Sequence, residues 1–273
     1  MRARSTTSKG RTRVGNVPDI LVTKRNRVGI VSLNRPQVRN AVTLAMWREL
    51  VDIFSGIARD ESIRAVVLAT SGKDFCVGAD VTEFDLVRKD KEQSAAYEVS
   101  VDACSTAIAS LPKPVIAAVS GYCLGGGCHL ALACDFRFVD DTAKFGIPAA
   151  NLSIVYGVKS VKRLLALVGV ANARRILYSA ERYDAVRSQS IGLVDEICDD
   201  ALSGALAFAD VLASKAPLSI AGAKFMLNGL SLGDSALDVA YAQRLIDQAA
   251  DSDDFREGTR AFAEKRPPRF RGC

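Results

Sequence analysis

The chain has 273 residues, 49% hydrophobic and 25% charged, enough to bury a sizeable core as one domain or as a domain with an appendage. Its formal charge of +5 misleads: Arg2, Arg4, Lys9, Arg11 and Arg13 precede any acidic residue, and the other 31 of the 36 basic residues balance 31 acidic ones. A neutral body does not suggest a large nucleic-acid-binding face.

Residues 1–16 are rich in Arg, Ser, Thr and Gly and are expected to form a disordered basic tail. No apolar core for a secretory signal is present. The tail lacks the apolar helical face of a transit peptide, so the expected location is cytoplasmic, with the mitochondrial matrix as the alternative if the tail is a transit peptide. Ile20–Thr23 and Val28–Leu33 are β-rich runs around Arg25-Asn26-Arg27 and predict a hairpin. Thr43 is positioned to cap a helix running to about Arg59, with Met46, Leu50, Ile53, Phe54 and Ile57 on its apolar face. A buried strand is expected at Ala65–Thr70. The segment Phe84–Tyr97 carries Arg88, Lys89, Asp90, Lys91 and Glu92 and is expected to be mobile. A helix from Glu92 to Leu111 stops at Pro112 and Pro114.

Val115–Val119 predicts another buried strand. It leads through Ser120 and Gly121 to the glycine triplet 125–127 and an apolar helix over Cys128–Ala133. Val115–Cys134 carries no charge and has the length of a membrane span. Ser120, Gly121, the triplet and His129 divide it into a strand and a helix, so no membrane span is expected. The triplet lets a ligand atom approach the backbone, and the first amides of the helix lack partners within it. Their place at the positive end of the helix dipole suits an oxygen that gains negative charge. His129, the only histidine, sits one turn into that helix.

A strand at Phe136–Val139 follows. Helices are expected over Ala201–Lys215, Leu218–Gly229, Ser235–Ala250 and Asp253–Lys265, which suggests a spiral core over 17–200 and a helical C-terminal subdomain over 201–273. The seven cysteines include no C-x-x-C pair, and Cys123, Cys128, His129 and Cys134 lack the spacing of a structural zinc site. Reduced thiols and no metal are expected.

The chain resembles the crotonase (enoyl-CoA hydratase/isomerase) superfamily through a series of segments. These are Asn34-Arg35-Pro36, Asn40-Ala41, Ser71 to Asp80, Ser120 to Asp135, Asp135-Phe136-Arg137, Phe145-Gly146-Ile147-Pro148, Gly192-Leu193-Val194, Phe255-Arg256-Glu257-Gly258 and Phe262 to Arg266. The resemblance spans roughly residues 18 to 271. It implies an α/β fold, a ββα spiral with a helical C-terminal trimerisation subdomain, assembled as a homotrimer or a dimer of trimers. It also implies an acyl-CoA substrate, with coenzyme A carried as part of the thioester and no tightly bound cofactor.

By the same resemblance, the backbone N–H groups of Ala79 and Gly126 grip the thioester carbonyl. Arg39 and Asn40 lie in the segment that lines the nucleotide, and Phe262 and Lys265 close over the acyl-CoA. Asp80 reads as a structural anchor of its turn.

Hydratases of this superfamily carry two glutamates, at positions that here are His129 and Ala149. Adding water across a conjugated double bond needs a base for the water and an acid for the α-carbon. Ala149 supplies neither, so ordinary two-glutamate hydration is not expected. His129, which titrates near neutrality when unperturbed, and Tyr156 are the candidates to replace the carboxylates. The run Asn151 to Tyr156 also resembles methylmalonyl-CoA decarboxylases. The leading reading is an acyl-CoA enzyme working through an oxyanion-stabilised enolate. The alternatives are a non-catalytic acyl-CoA-binding homologue and an acyl-CoA decarboxylase.

Overall fold

The computed structural model describes residues 17–231 and 237–273. The basic segment 1–16, expected to be a disordered tail, lies outside the described residues, as does the expected helix start at Ser235.

The first hairpin forms as expected, from β1 (Ile20–Arg25) and β2 (Val28–Leu33), antiparallel and in register from Ile20↔Leu33 to Arg25↔Val28. Then α1 (Leu44–Arg59) leads to β3 (Ala65–Thr70); the Thr43 side chain accepts from the Met46 N–H and caps α1. The segment expected to be mobile contains the short α2 (Phe84–Val87) and the start of α3 (Lys91–Ala109). After these come β4 (Val115–Val119), β5 (Tyr122–Leu124), α4 (Gly126–Ala133), β6 (Phe136–Val139) and β7 (Lys144–Gly146). Then α5 (Val158–Ser179) and β8 (Tyr183–Asp184) lead into α6 (Ala185–Ser190) and β9 (Glu196–Ile197); these four elements, like β5 and β7, are absent from the sequence reading. The chain ends in α7 (Ala201–Ala213), α8 (Pro217–Ser231), α9 (Val239–Ala250) and α10 (Asp253–Ala263).

The strands form two sheets. A six-stranded sheet has the order β1-β2-β3-β4-β6-β9, parallel apart from the β1–β2 hairpin, and β5-β7-β8 form a second, three-stranded sheet. After β4 the chain alternates between them, which winds it into a spiral of layers.

Strands covered on both faces read as nearly continuous apolar runs, and the alternation separates two cores. Val31, Leu33, Val66, Leu68, Val115, Ala117 and Val119 face one apolar cluster, with Leu50 and Phe54 of α1, Cys104 and Ile108 of α3 and Leu130 of α4. Val28, Ala65, Val67, Ile116, Ala118 and Phe138 face the other, filled by Ala201, Ala205, Leu206, Ala209 and Ala213 of α7. The boundary expected at residue 201 therefore cuts through a packed layer: α7 completes the sheet's second face. Farther along, the buried Lys224 of α8 ties the later helices to the core, its Nζ lying 2.7 Å from Asp135 Oδ2 and donating to Lys113 O.

Candidate functional site

Two turns meet beside a cavity of about 140 Å3. One follows β3. Val42 and Ala79 form an isolated parallel bridge in which the Val42 N–H donates to Gly78 O at 2.9 Å and the Asp80 N–H donates to Val42 O at 2.9 Å. Successive amides of an extended chain point to opposite sides, so the intervening Ala79 N–H points away from Val42. Gly78 makes this turn at φ 112°, a backbone region that glycine enters without steric cost. Its N–H is held by Cys76 Sγ at 3.3 Å.

The second turn is the start of α4. Gly125 is its N-cap, with no side-chain cap, and Gly126 is its first helical residue, where the amide has no acceptor within the helix. The turns face each other closely. A Cβ placed on Gly126 would lie 3.1 Å from the Ala79 nitrogen, and one placed on Gly78 would lie 3.2 Å from the Gly126 nitrogen. Ala79 and Gly126 both line the cavity. Among the described residues neither N–H has a protein acceptor. Two free donors at one point, one of them at the positive end of a helix, stabilise an oxygen on which negative charge develops.

His129 lies on the first turn of α4, buried against the cavity. Its Nε2 is 3.2 Å from Val101 O, which can only accept, so that nitrogen carries the proton; Nδ1 then accepts from the Ser160 hydroxyl. Burial is the main cause that pushes the imidazole pKa from 6.5 down to about 4, with the Arg163 and Lys159 charges adding to it and the Val101 carbonyl opposing it. At neutral pH the ring is uncharged and both nitrogens are engaged. Its edge-to-face neighbours are Trp47 and Tyr156, at 6.1 and 6.3 Å between ring centres.

Tyr156 Oη donates to Gly125 O at 3.1 Å, and its hydroxyl also interacts with Ser160. Burial raises its pKa well above the ordinary phenol value. Gly125 O accepts the His129 N–H as well, at 3.0 Å. This carbonyl belongs to the same peptide unit as the Gly126 N–H, so Tyr156 and the helix together fix the plane of one donor.

The other expected site residues are dispersed. Ala149 lines the cavity. Arg39 is 57% exposed, 3.7 Å from Asp74, with its guanidinium 5.4 Å from the centre of the Tyr122 ring. Asn40 is fully buried: its Oδ1 accepts from the Arg35 N–H, and its amide donates to Ser71 O and Asp74 O. Its side chain braces the loop and has no surface for the ligand contact that the resemblance implied. Asp80 anchors its turn, accepting from Arg35 at 2.9 Å and from Thr82, whose hydroxyl is the largest cause holding the Asp80 carboxyl below its ordinary pKa. Phe262, 88% exposed near the end of α10, and Lys265 just beyond that helix are not among the residues lining the cavity.

The segment Phe84–Tyr97 was expected to border the acyl pocket, and Phe84, Arg88 and Tyr97 line the cavity; sequence reasoning missed Trp47, Glu98 and Ser160. Trp47 Nε1 donates to Tyr97 Oη at 2.9 Å. Glu98 comes from α3, a helix to which the sequence reading gave no site residue, and Ser160 comes from the helix α5 that the sequence reading lacked. Among the described residues, no group of three or more His, Cys, Asp or Glu side chains is placed to hold a metal ion.

Comparison with known proteins agrees with this architecture. The family model for enoyl-CoA hydratase/isomerase matches residues 23–273. The 2,3-dehydroadipyl-CoA hydratase of Escherichia coli is 33% identical over 93% of this chain and 99% of its own length. The short-chain-enoyl-CoA hydratase of Clostridium acetobutylicum is 29% identical, over 91% of this chain and 95% of its own. The crystal structure of an enoyl-CoA hydratase from Bacillus anthracis superposes with a TM-score of 0.84 at 32% identity, covering 94% of this chain and all of that one. The chain belongs to the enoyl-CoA hydratase/isomerase family, within the crotonase superfamily.

Proposed function

We propose that the chain acts on an acyl-CoA thioester, holding its carbonyl oxygen between the N–H groups of Ala79 and Gly126 and stabilising the enolate that forms there. The observation that carries this reading is the approach of the two turns, with a Gly126 Cβ position only 3.1 Å from the Ala79 nitrogen at the cavity wall. Fixed donors of this kind need no reorganisation as charge develops, and losing one costs about 3–4 kcal/mol of barrier stabilisation.

His129 stands at a position where the chemistry of relatives would call for a carboxylate, and it and Tyr156 serve the site through the backbone. The Tyr156 hydroxyl polarises the Gly125–Gly126 peptide, which strengthens the Gly126 N–H as a donor. His129 and Ser160 hold that hydroxyl's surroundings in place without adding charge. Arg39 at the surface is suited to the nucleotide end of the ligand. Phe262 and Lys265 reach a ligand only if a second copy of the chain brings them there.

Water addition is unfavourable here, because neither position 129 nor position 149 carries a carboxylate. A second reading, acyl-CoA decarboxylation, is favoured by the same fact. When a carboxylate on the α-carbon leaves as CO2, the electrons of the broken C–C bond become the enolate, and no base is required.

The test is an acyl-CoA panel read for both binding and product by mass spectrometry. Acyl-CoAs are expected to bind, with crotonyl-CoA hydrated more slowly than by a two-glutamate hydratase by about a thousandfold or more. Tyr156→Phe is expected to lower kcat about fivefold with KM nearly unchanged, the loss of one hydrogen bond. Robust hydration would refute the reading of positions 129 and 149, and failure to bind any acyl-CoA would refute the thioester assignment.

A further inference from the structure

The cavity wall beside the two amides is mostly apolar, with Trp47, Phe84, Val101, Leu152 and Ile154 along it, yet two charged side chains face the same space. These are Arg88, the C-cap residue of α2, and Glu98, on the second turn of α3. Among the described residues that line the cavity, no other is charged.

The guanidinium of Arg88 is held in an aromatic slot, 5.0 Å from the centre of the Phe84 ring and 4.8 Å from that of Tyr97. Its Nη2 lies 2.9 Å from Glu98 Oε1, and its side chain is only 16% exposed. A guanidinium carries five donors in a rigid fork. Among the described residues Glu98 is the one recorded acceptor for that fork.

We propose that Arg88 recognises a second carboxylate on the acyl group, so that the chain's own substrate is the CoA thioester of a dicarboxylic acid. This rests on the acyl-CoA reading above. A purely hydrocarbon tail entering this cavity would strip water from a charged pair and return no hydrogen bonds, which is unfavourable. A carboxylate would give the guanidinium a two-point partner while the rings hold its plane. Glu98, 42% exposed, has room to turn toward solvent as the new anion arrives. Its carboxyl pKa is raised by burial, which makes the ionised form easier to displace or protonate.

The experiment is calorimetric binding of succinyl-, glutaryl- and adipyl-CoA to the full chain, each against the monocarboxylic thioester of the same carbon number. At the chain length that fits, the dicarboxylic thioester is expected to bind about tenfold more tightly or better. Arg88→Met is expected to abolish that preference, with a far-ultraviolet circular dichroism spectrum matching the wild type. Equal or weaker dicarboxylic binding by the wild type at every length would overturn the proposal, and that comparison needs no variant. A preference that persists in folded Arg88→Met would overturn the role given to Arg88. If neither series binds, the acyl-CoA reading itself has failed.

Discussion

His129 illustrates how one side chain can be legible in position and misleading in duty. Its place one turn into a helix after a glycine triplet was readable from sequence, and so was the absence of a carboxylate there. What the ring bonds to was not, because Val101 and Ser160 come from α3 and α5, far away along the chain. The buried neutral ring has a consequence for stability. Its folded pKa of about 4 lies below the ordinary 6.5, so the unfolded state takes up the proton first. The contribution is complete above about pH 6.5 and is lost as pH falls toward 4, at about 1.4 kcal/mol per pH unit. Urea denaturation of the wild type and of His129→Gln across this range should show the steeper fall in the wild type only. Parallel curves would mean that the ring does not titrate as its surroundings dictate.

At the scale of elements, α4 separates two kinds of glycine. A Cβ on Gly126 would meet the Ala79 nitrogen and Trp47 Cζ2, both at 3.1 Å, which is the space between the donors. A Cβ on Gly127 would lie 2.3 Å from Cys76 O, inside the packed contact between helix and strand segment. Gly126→Ala should therefore fold and lose turnover about a hundredfold or more. Gly127→Ala should lose about 2 kcal/mol or more of stability through overpacking. Thermal melts and turnover of the two variants check the contrast; equal loss of stability in both would contradict it. Both glycines look alike in sequence. The first five strands of the large sheet were legible because continuous apolar runs have few other uses. Its short last strand β9, and β5, β7 and β8 of the small sheet, were not, since two or three residues carry no period, and α5 was hidden by the break at Gly169, where φ is 71°.

For the molecule as a whole, the last helices expose an unusual amount of apolar surface. Leu227 and Leu230 on α8, Val239 on α9, and Phe255 and Phe262 on α10 are all more than half exposed. Scattered apolar side chains need no explanation, but we propose that these five, on consecutive helices, belong to an association surface. We expect three or six chains in solution, measured as a multiple of 29.2 kDa by light scattering; a monomer at micromolar concentration would refute this and remove Phe262 and Lys265 from the site. The helical end of the chain was readable from its lack of strand patterns. The membership of α7 in the core was not, because an alanine-rich helix looks the same on a sheet as in a separate bundle. The bridges Val42↔Ala79 and Cys76↔Cys123 clamp the two donor turns to neighbouring backbone on both sides. Such a clamp leaves no hinge between them. The entropy of aligning the pair is spent once, when the polypeptide folds, and an arriving thioester meets an anvil already set.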